Sequence, residues 1–567
     1  MSSLVINALR RLGILAALTG ILGTLAGTPA VADSYTPIAG AGSTWAENAI
    51  DQWRRDVNKN GMRISYAGGG SSDGRRQFLS GTVDFAVSDI PFQTHPTDGS
   101  AAERPAKGSY AYMPIVAGGT VFMYHLTVNG KRVTNLRLSG DVVTKIFTGV
   151  VKTWDDPVIK ADNPGLQLPH RTIVPVVRSD GSGSTAQFTM WMVNQHRALW
   201  NAYCAKVGRA GSCGQTSYYP TVSGMIAQSG DLGVAGYVAQ NYGEGAIGYV
   251  NYSYARNAHY PVAKVLNHAG YYTEPTPQNV AVSLLKARIN TDKNSADYLT
   301  QQLDGVYNDS DKRNYPLSSY SYMILPLKVQ GTFTEAKGKT LGAFSYYFMC
   351  QGQQQAPGLG YSPLPINLVQ AGFDQIRRIP GVHAQNINIK NCNNPTFTTT
   401  GQNRLAQTAP YPAACDKKGA APCTTGTGGA TTGSGNGSGG SSGGSTGATG
   451  TGTAGGSTGG GSGPAGGNSG QPSVDPDTGQ TISPGGTSGS ASGGTSAGAD
   501  GTVALAQPVA VATAHGWTGT QTLMLLAAVL VFGLLLLPSV ISRLVGSRAD
   551  GNGNSNGNGR SEDGSSR

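Results

Sequence analysis

The sequence predicts an α/β protein whose folded part divides into two lobes, and three observations support this. Short β-like runs alternate with amphipathic helical stretches between residues 33 and 423, a pattern typical of helices layered on sheets. That span is too long for one compact core, so two lobes are expected. Beyond it, Gly, Ser and Thr make up almost all of residues 424–499, a composition that cannot bury enough apolar surface to fold.

The β-like runs and the helical stretches can be placed individually. β-Branched and aromatic residues predict strands at 64–66, 83–87, 173–177 and 246–250. Apolar residues at helical spacing predict one helix from Trp45 to Val57 and another from Phe188 to Trp200. Because strands and helices alternate, we expect largely parallel sheets.

The N-terminus predicts an export signal over residues 1–32. Arg10 and Arg11 precede an apolar run at 12–25, and residues 30–32 (AVA) supply the small side chains of a cleavage site. An uncleaved anchor is the alternative, which the shortness of the apolar run disfavours.

A second apolar run, at residues 523–541, predicts a transmembrane helix, because a helix of that length spans roughly 28 Å. Arg543 and Arg548 follow it and are expected on the cytoplasmic side, at the start of a polar tail over 542–567. Residues 424–522 would form a disordered tether that holds the folded part at the outer face of the cell membrane. A buried core helix is the alternative.

Cysteines and net charge narrow the setting. The six cysteines suit an exported, oxidising environment, and no C-x-x-C motif suggests a zinc site. The net charge of +10 comes without a dense Lys/Arg run, so it indicates a mild preference for anions and no nucleic-acid partner. Sequence leaves the disulfide connectivity open; near neighbours make plausible the pairs Cys204/Cys213 and Cys415/Cys423, which leave Cys350/Cys392.

Three segments share one design, in which a β-like run leads through a Gly/Ser-rich turn into a helix. They lie at residues 40–45 (GAGSTW), 68–74 (GGGSSDG) and 180–185 (DGSGST). Each turn leaves backbone N–H groups unpaired at the positive end of a helix, and glycine allows a ligand to approach closely. An ordinary Ser/Thr N-cap explains any one of them. Three together predict an anion site.

Charged residues accompany these turns. Arg178 stands two residues before Asp180, and a guanidinium can bind two oxyanion oxygens while a carboxylate orients it; a surface ion pair is the alternative. Asp89 follows the strand at 83–87, and a carboxylate there would point into the crevice of an open α/β sheet. A turn-forming Asp before an Ile-Pro pair is the alternative.

The chain resembles a known family over roughly residues 35–380. It is similar to the phosphate-binding component of the high-affinity phosphate ABC transporter, a PstS-like member of the type II periplasmic binding proteins. The resemblance implies a two-lobed, hinged protein that holds one dehydrated phosphate and passes it to a membrane permease. The matching segments are 40–45, 66–74, 82–89 (TVDFAVSD), 152–156 (KTWDD), 163–166, 178–184, 245–250 (GAIGYV) and 364–365.

The resemblance also implies roles for individual residues. Asp89 matches the carboxylate that accepts the proton of the ligand, Arg178 the guanidinium donor, and Asp180 its orienting partner. Trp45 stands where the family more often has Phe, and Ser184 where Thr is usual. The implied phosphate-binding residues are Thr44, Trp45, Ser71, Asp89, Arg178, Ser182, Gly183 and Ser184.

The predicted organisation follows. One lobe comprises residues 33–112 plus 254–423 and the other 113–253, with hinge crossings near Val116 and Tyr249. No catalytic residue, metal or cofactor is expected.

Two other functions share the same scaffold. A surface-displayed phosphatase is one, although Ser71 and Ser182 do not lie in G-x-S-x-G and have no nearby His in sequence. A phosphate-sensing or adhesion receptor is the other.

Overall fold

The structure is a computed structural model that describes residues 35–430 except 212, 399 and 429, together with a short strand pair within 473–482. The predicted signal peptide (1–32), membrane helix (523–541) and polar tail (542–567) lie outside the described residues, as does nearly all of the tether. Within the described ranges, no helix has both the length and the apolar character needed to cross a bilayer.

Short strands and helices alternate along the chain. The strands are β1 Ile38–Gly42, β2 Ile64–Ala67, β3 Phe85–Ser88, β4 Tyr110–Tyr124, β5 Thr127–Val128, β6 Lys131–Arg132, β7 Arg137–Leu138, β8 Val174–Arg178, β9 Ile226–Gln228, β10 Ala246–Asn251, β11 Val262–Leu266, β12 Tyr272–Thr273, β13 Arg288–Ile289, β14 Gln301–Gln302, β15 Ser318–Pro326, β16 Ser473–Val474 and β17 Thr481–Ile482. The α-helices are α1 Glu47–Asn58, α2 Ser71–Leu79, α3 Gly140–Phe147, α4 Pro157–Asp162, α5 Gly183–Gln195, α6 Arg197–Lys206, α7 Gly230–Ala239, α8 Tyr252–Asn257, α9 Pro277–Ser283, α10 Asp304–Tyr307, α11 Glu335–Met349, α12 Ala356–Leu359, α13 Ile366–Ile376 and α14 Arg404–Gln407.

One long sheet runs through both lobes in the order β2-β1-β3-β15-β4-β10-β8-β9. Its two ends are parallel, since β1 pairs with β2 and β3, and β8 with β10 and β9. Its middle is antiparallel, because β15 runs antiparallel to both β3 and β4, and β4 runs antiparallel to β10. The expected parallel strands are therefore present at the ends, but the sheet as a whole is mixed.

Two hydrophobic cores lie along this sheet, and β4 contributes to both. In the first core Trp53 of α1 stacks on Phe348 of α11, with ring centroids 4.9 Å apart. In the second core the ring of Phe188 packs against those of Phe122 and Tyr249. The two cores confirm the predicted two-lobed α/β fold.

The predicted strands are confirmed, but the predicted single helix from Phe188 to Trp200 is wrong. The chain forms α5 and α6 instead, separated at His196, whose φ of −136° and ψ of 37° are not helical. The His196 ring packs against Trp191 with centroids 4.8 Å apart. The apolar pattern continues across this break because both helices face the same core.

The packing of the chain after residue 253 differs from the predicted lobe boundaries. Although the prediction assigns this part to the first lobe, Val262 and Leu303 lie in the second core. The reason is strand pairing: β15 pairs with β4 only as far as Gly119, and β11 pairs with the next part of β4, from Phe122. Pairing with the end of β4 therefore places the later segment that contains β11 in the second lobe.

All six cysteines form disulfides. Cys204–Cys213 and Cys415–Cys423 are the pairs that their spacing made plausible, and Cys350–Cys392 is the pair that remains. The Cys415–Cys423 disulfide closes a loop that docks on the second lobe through Arg137. This buried guanidinium donates to the carbonyl of Cys415 at 2.7 Å and to that of Ala420 at 2.6 Å. It also donates twice to the carbonyl of Asp162.

Arg137→Ala should release this loop, because the substitution leaves the buried carbonyl of Asp162 and the partly buried carbonyls of Cys415 and Ala420 without their charged donor. We expect the free energy of unfolding to fall by about 3 kcal/mol, and proteolysis within residues 413–428 to accelerate. Urea denaturation and limited proteolysis of the full chain measure the two effects. Arg377→Ala, which breaks only an exposed ion pair with Asp374, is the control; equal behaviour of the two variants would contradict the docking role.

Candidate anion-binding site

Three turns follow the carboxyl ends of parallel strands, and each leads into a helix. The first turn, residues 43–46, joins β1 to α1; the second, 68–70, joins β2 to α2; the third, 179–182, joins β8 to α5. Parallel strands of a sheet present such turns at the same edge, where open α/β sheets bind ligands.

Hydrogen bonds bring the three turns together at one cleft. The amide of Gly70 donates to the carbonyl of Gly42 at 2.8 Å, joining the second turn to the strand before the first. The amide of Ser72, at the start of α2, donates to the carbonyl of Gly181 at 2.9 Å, which joins the end of the second turn to the third turn across the lobes. The turns therefore face one another, as the three-turn design predicts.

Two glycines allow this close approach. Gly70 has a φ of +92°, which favours glycine, and a Cβ there would overlap the Asp180 carboxylate. A Cβ on Gly183 would overlap Ser71 Oγ and Asp89 Oδ2. The first residue of α5 thus lies directly against the second turn and Asp89.

Several donors at the cleft have no acceptor within the described part of the chain. They are the backbone N–H groups at the starts of the three helices and the hydroxyl of Ser184, which is buried and unpartnered. Buried donors without a partner are rare in folded proteins. A set of them facing one cleft can bind an anion. The amides include those of Thr44, Trp45, Ser71, Gly183 and Ser184.

Arg178 is buried in this cleft, with most of its donors already engaged. Its Nε donates to Asp180 Oδ1 at 2.7 Å and its Nη2 to Thr44 Oγ1 at 2.9 Å. Nη2 also donates to Asp180, and Nη1 to Asp231. Of the five guanidinium N–H groups, one on Nη1 is left for a ligand.

The charges of this group stabilise one another. Burial alone lowers the pKa of Arg178, but the carboxylates of Asp231 and Asp180 outweigh it and hold that pKa above its ordinary value. Burial likewise raises the pKa of Asp180, and the guanidinium outweighs it, so the pKa of Asp180 lies below its usual range. Both groups are therefore charged at neutral pH, and Asp180 orients Arg178.

Asp231 links the lobes and was not predicted. Its Oδ2 accepts from Thr44 Oγ1 at 2.6 Å as well as from Arg178, and its Oδ1 accepts from the amide of Asn251 at 2.6 Å. It stands at the start of α7, where an acidic residue is ordinary. Sequence gives no signal that separates this Asp from a helix-terminal charge.

Asp89 is buried and accepts from three hydroxyl groups. Ser43 donates to Oδ1 at 2.7 Å, Ser321 to Oδ1 at 2.5 Å, and Ser71 to Oδ2 at 3.3 Å. Burial raises the pKa of Asp89 to about 6, against the lowering effect of the bonds from Ser321 and Ser43. The carboxylate is therefore ionised near neutral pH and can accept one further hydrogen bond.

Every predicted site residue lies at this cleft, but the side chains of two of them, Ser182 and Trp45, make hydrogen bonds within the protein. Ser182 Oγ accepts from the amide of Thr185 at 3.1 Å and caps α5. The Trp45 indole donates to Thr120 Oγ1 at 3.1 Å, so at the cleft Trp45 offers its amide. The site residues that sequence missed are Ser43, Asp231 and Ser321; alternation of serines in the buried strand β15 is the one available signal.

Fold and site together define a class of protein. Two α/β lobes that share a strand, with three helix-starting turns facing the cleft between them, define the type II periplasmic-binding-protein fold. A family profile described as a PBP superfamily domain matches residues 27–351, more than half of the 567 residues.

Several curated proteins that are similar to this chain are named phosphate-binding proteins. Phosphate-binding protein PstS of Xylella fastidiosa is 31% identical over 334 residues, which cover 59% of this chain and 83% of that protein. The PstS proteins of Pasteurella multocida (30% identical; 62% and 92% covered) and Methanocaldococcus jannaschii (29% identical; 60% and 85% covered) are similar to the same extent. The chain belongs to the PBP superfamily and, within it, to the PstS-like phosphate-binding proteins.

Two solved structures of phosphate-binding proteins overlap with part of this chain. A high affinity periplasmic phosphate-binding protein (PfluDING) superposes on 62% of this chain and 100% of its own with a TM-score of 0.45 and 17% identity. A phosphate-binding protein from Stenotrophomonas maltophilia covers 61% and 99%, with a TM-score of 0.42 and 17% identity. At this identity and overlap, neither superposition bears on the function of this chain.

Gly183→Ala should hold the turns apart, because the added methyl group overlaps Ser71 and Asp89. We expect hydrogen exchange at the amide of Ser72 to accelerate by about tenfold, since overpacking costs on the order of 1–3 kcal/mol. Hydrogen–deuterium exchange of the full chain, followed by mass spectrometry, measures this. Gly236→Ala is the control, because nothing lies within 4 Å of a Cβ there. Unchanged exchange in Gly183→Ala would show that the turns do not meet.

Proposed function

We propose that this chain is a solute-binding protein that captures inorganic phosphate in the cleft and delivers it to the permease of an ABC phosphate importer. One observation carries the proposal: N–H groups without an acceptor lie at three helix starts, together with the unpartnered Ser184 hydroxyl, where the three turns meet beside the Asp89 carboxylate. Such a site complements a small, compact anion that still carries a proton. The similar proteins of Methanocaldococcus jannaschii and Xylella fastidiosa are named phosphate-binding proteins, which supports the same ligand.

Phosphate would be held by hydrogen bonds rather than by net positive charge. The cleft contains one guanidinium, Arg178, beside the carboxylates of Asp89, Asp180 and Asp231, so its formal charge is not positive. Backbone dipoles aimed at the anion compensate, because each helix start adds partial positive charge. The predicted ligand contacts are the amides of Thr44, Trp45, Ser71, Gly183 and Ser184, the hydroxyls of Ser71, Ser182 and Ser184, and Arg178 Nη1. The Thr44 hydroxyl already donates to Asp231.

Asp89 would select for a protonated anion. Phosphate near neutral pH keeps at least one proton and can donate a hydrogen bond to the carboxylate. Sulfate carries none, so its oxygen would face the carboxylate without a proton between them, and a desolvated, unmatched acceptor loses affinity.

Capture would require the lobes to open and close. Thr44 belongs to the first turn, and its hydroxyl joins Arg178 and Asp231 of the other lobe, so these bonds must break on opening. As the sequence predicts, we place the hinge near Val116, in the strand β4 that both lobes share, and near Tyr249, in β10 beside it. Closure would exclude water and strengthen each contact to the ligand.

The chain would act outside the cytoplasm, held to the membrane. Three disulfides support export, since such bonds persist in oxidising compartments. We propose that residues 1–32 direct export, that 523–541 anchor the chain, and that 424–522 tether the binding module to this anchor. Membrane fractionation of full-length protein and of a chain ending before residue 523 tests the anchor: only the longer chain should sediment with membranes.

A binding role is favoured over phosphate hydrolysis. His125 bonds to the carbonyl of Val238 and contacts Glu244, and His170 bonds to Asp155, so both have partners other than a serine. Activation of Ser71 as a nucleophile would need a base beside it. Phosphate release from a phosphate ester that is abolished by Ser71→Ala would favour the enzyme instead.

Titration calorimetry on the full chain, purified in mild detergent and freed of bound anion, tests the proposed ligand. We expect tight phosphate binding, weak sulfate binding, and a phosphate affinity about tenfold or more lower in Asp89→Asn, because a charged acceptor is lost. Asp374→Asn, at an exposed helix position, is the control. Asp89→Asn that binds phosphate as well as the parent and still rejects sulfate would refute the proton-acceptor role.

The selectivity should depend on pH. Burial raises the pKa of Asp89 to about 6, so at a lower pH its carboxyl group gains a proton and becomes a donor. It then no longer repels sulfate. We expect the phosphate-to-sulfate affinity ratio to narrow as pH falls through about 6, and to stay flat in Asp89→Asn. In ligand-free protein, stability should fall as pH rises through the same value, because a carboxyl whose pKa is raised by folding stabilises the fold only while protonated. A ratio that does not change between acidic and neutral pH would argue against this role of Asp89.

A further inference from the structure

Three tyrosine hydroxyls donate to three consecutive backbone carbonyls of the first turn. The tyrosines come from separate parts of the chain: β2, α8 and the segment after α12. No motif in the sequence groups them. The bonds are Tyr66 to Ser43 (2.9 Å), Tyr254 to Thr44 (2.7 Å) and Tyr361 to Trp45 (2.6 Å).

These bonds fix the direction of the neighbouring amides. A trans peptide unit is planar, so its C=O and the N–H of the following residue point in opposite directions. When the tyrosines hold the three carbonyls on one side, the N–H groups of Thr44, Trp45 and Ala46 must point to the other side. None of these three amides has an acceptor within the described residues. Consecutive N–H groups that point the same way form an anion-binding nest.

The tyrosines are suited to act as permanent donors. Burial raises the pKa of each hydroxyl well above its usual value, and the nearby Glu47 raises that of Tyr66 and Tyr254 further. All three hydroxyls are therefore protonated at neutral pH. Tyr361 is also held in place, because its oxygen accepts from Ser253 Oγ at 3.1 Å.

We propose that Tyr66, Tyr254 and Tyr361 are positioning residues for anion binding, which turn the carbonyls of the first turn away from the cleft so that the amides of Thr44, Trp45 and Ala46 face the ligand. This inference rests on the proposed function and adds Ala46 to the ligand contacts. Without the tyrosines, the peptide units of the turn could rotate and present carbonyl oxygens, which repel an anion.

Tyr→Phe variants test the proposal, because they remove only the hydroxyl. In the full chain we expect each single variant to weaken phosphate binding about 3- to 10-fold by calorimetry, and the triple variant by more. Tyr219→Phe is the matched control: Tyr219 is also buried and donates to a carbonyl, that of Phe147, at 2.6 Å, but it lies in the second core. It should lose stability without losing affinity.

Hydrogen–deuterium exchange separates positioning from a merely structural role. Saturating phosphate should slow exchange of peptides that contain residues 44–46 in the parent chain, and this protection should be lost in the tyrosine variants while protection of residues 183–184 persists. Equal loss at both places would indicate general destabilisation and overturn the proposal.

The remaining outcomes are also decisive. Undiminished affinity in all three single variants would overturn the positioning role and leave phosphate capture intact. A parent chain that binds no phosphate would overturn the proposed function and, with it, this inference. If the triple variant does not fold, the single variants decide.

Discussion

The buried guanidinium of Arg178 is the interaction on which the closed cleft depends. Removing such a charge from water costs several kcal/mol unless it is paired, and its partners come from both lobes. Asp180 and Asp231 neutralise it, while the Thr44 hydroxyl of the opposite lobe accepts a hydrogen bond from it and donates one to Asp231. Closing the lobes and satisfying the buried charge are therefore one event.

Around this charge, the protein presents backbone amides as the main donors. Amides at helix starts are fixed by the fold and bring no counter-charge of their own. The carbonyls on the same peptide units must then be satisfied elsewhere, which is where the three tyrosine hydroxyls bond. Asp89 has the opposite role: its carboxylate accepts from three hydroxyl groups, and burial raises its pKa, so donors and an acceptor lie side by side at the cleft.

The fold can bring these donors and acceptors together because the two lobes share structural elements. β4 passes through both halves of the sheet, and β11 pairs with the part of β4 that β15 does not cover. The C-terminal segment adds a second connection, because Cys392 joins it to the end of α11 while Arg137 binds it to the second lobe. Glycines at 70 and 183 leave room for the turns to meet.

The sequence by itself determined the strands β2, β3, β8 and β10 and the three Gly/Ser turns, because periodicity and turn chemistry are local properties. Short separations made two cysteine pairs plausible, and the structure decided the connectivity. The sequence also named Arg178 and Asp89, which lie beside the turns. Only the tertiary structure decided the break at His196, the placement of β11, and the roles of Asp231, Ser321 and the three tyrosines. Each of these depends on contacts between residues far apart in the chain, and such contacts leave no periodic signal.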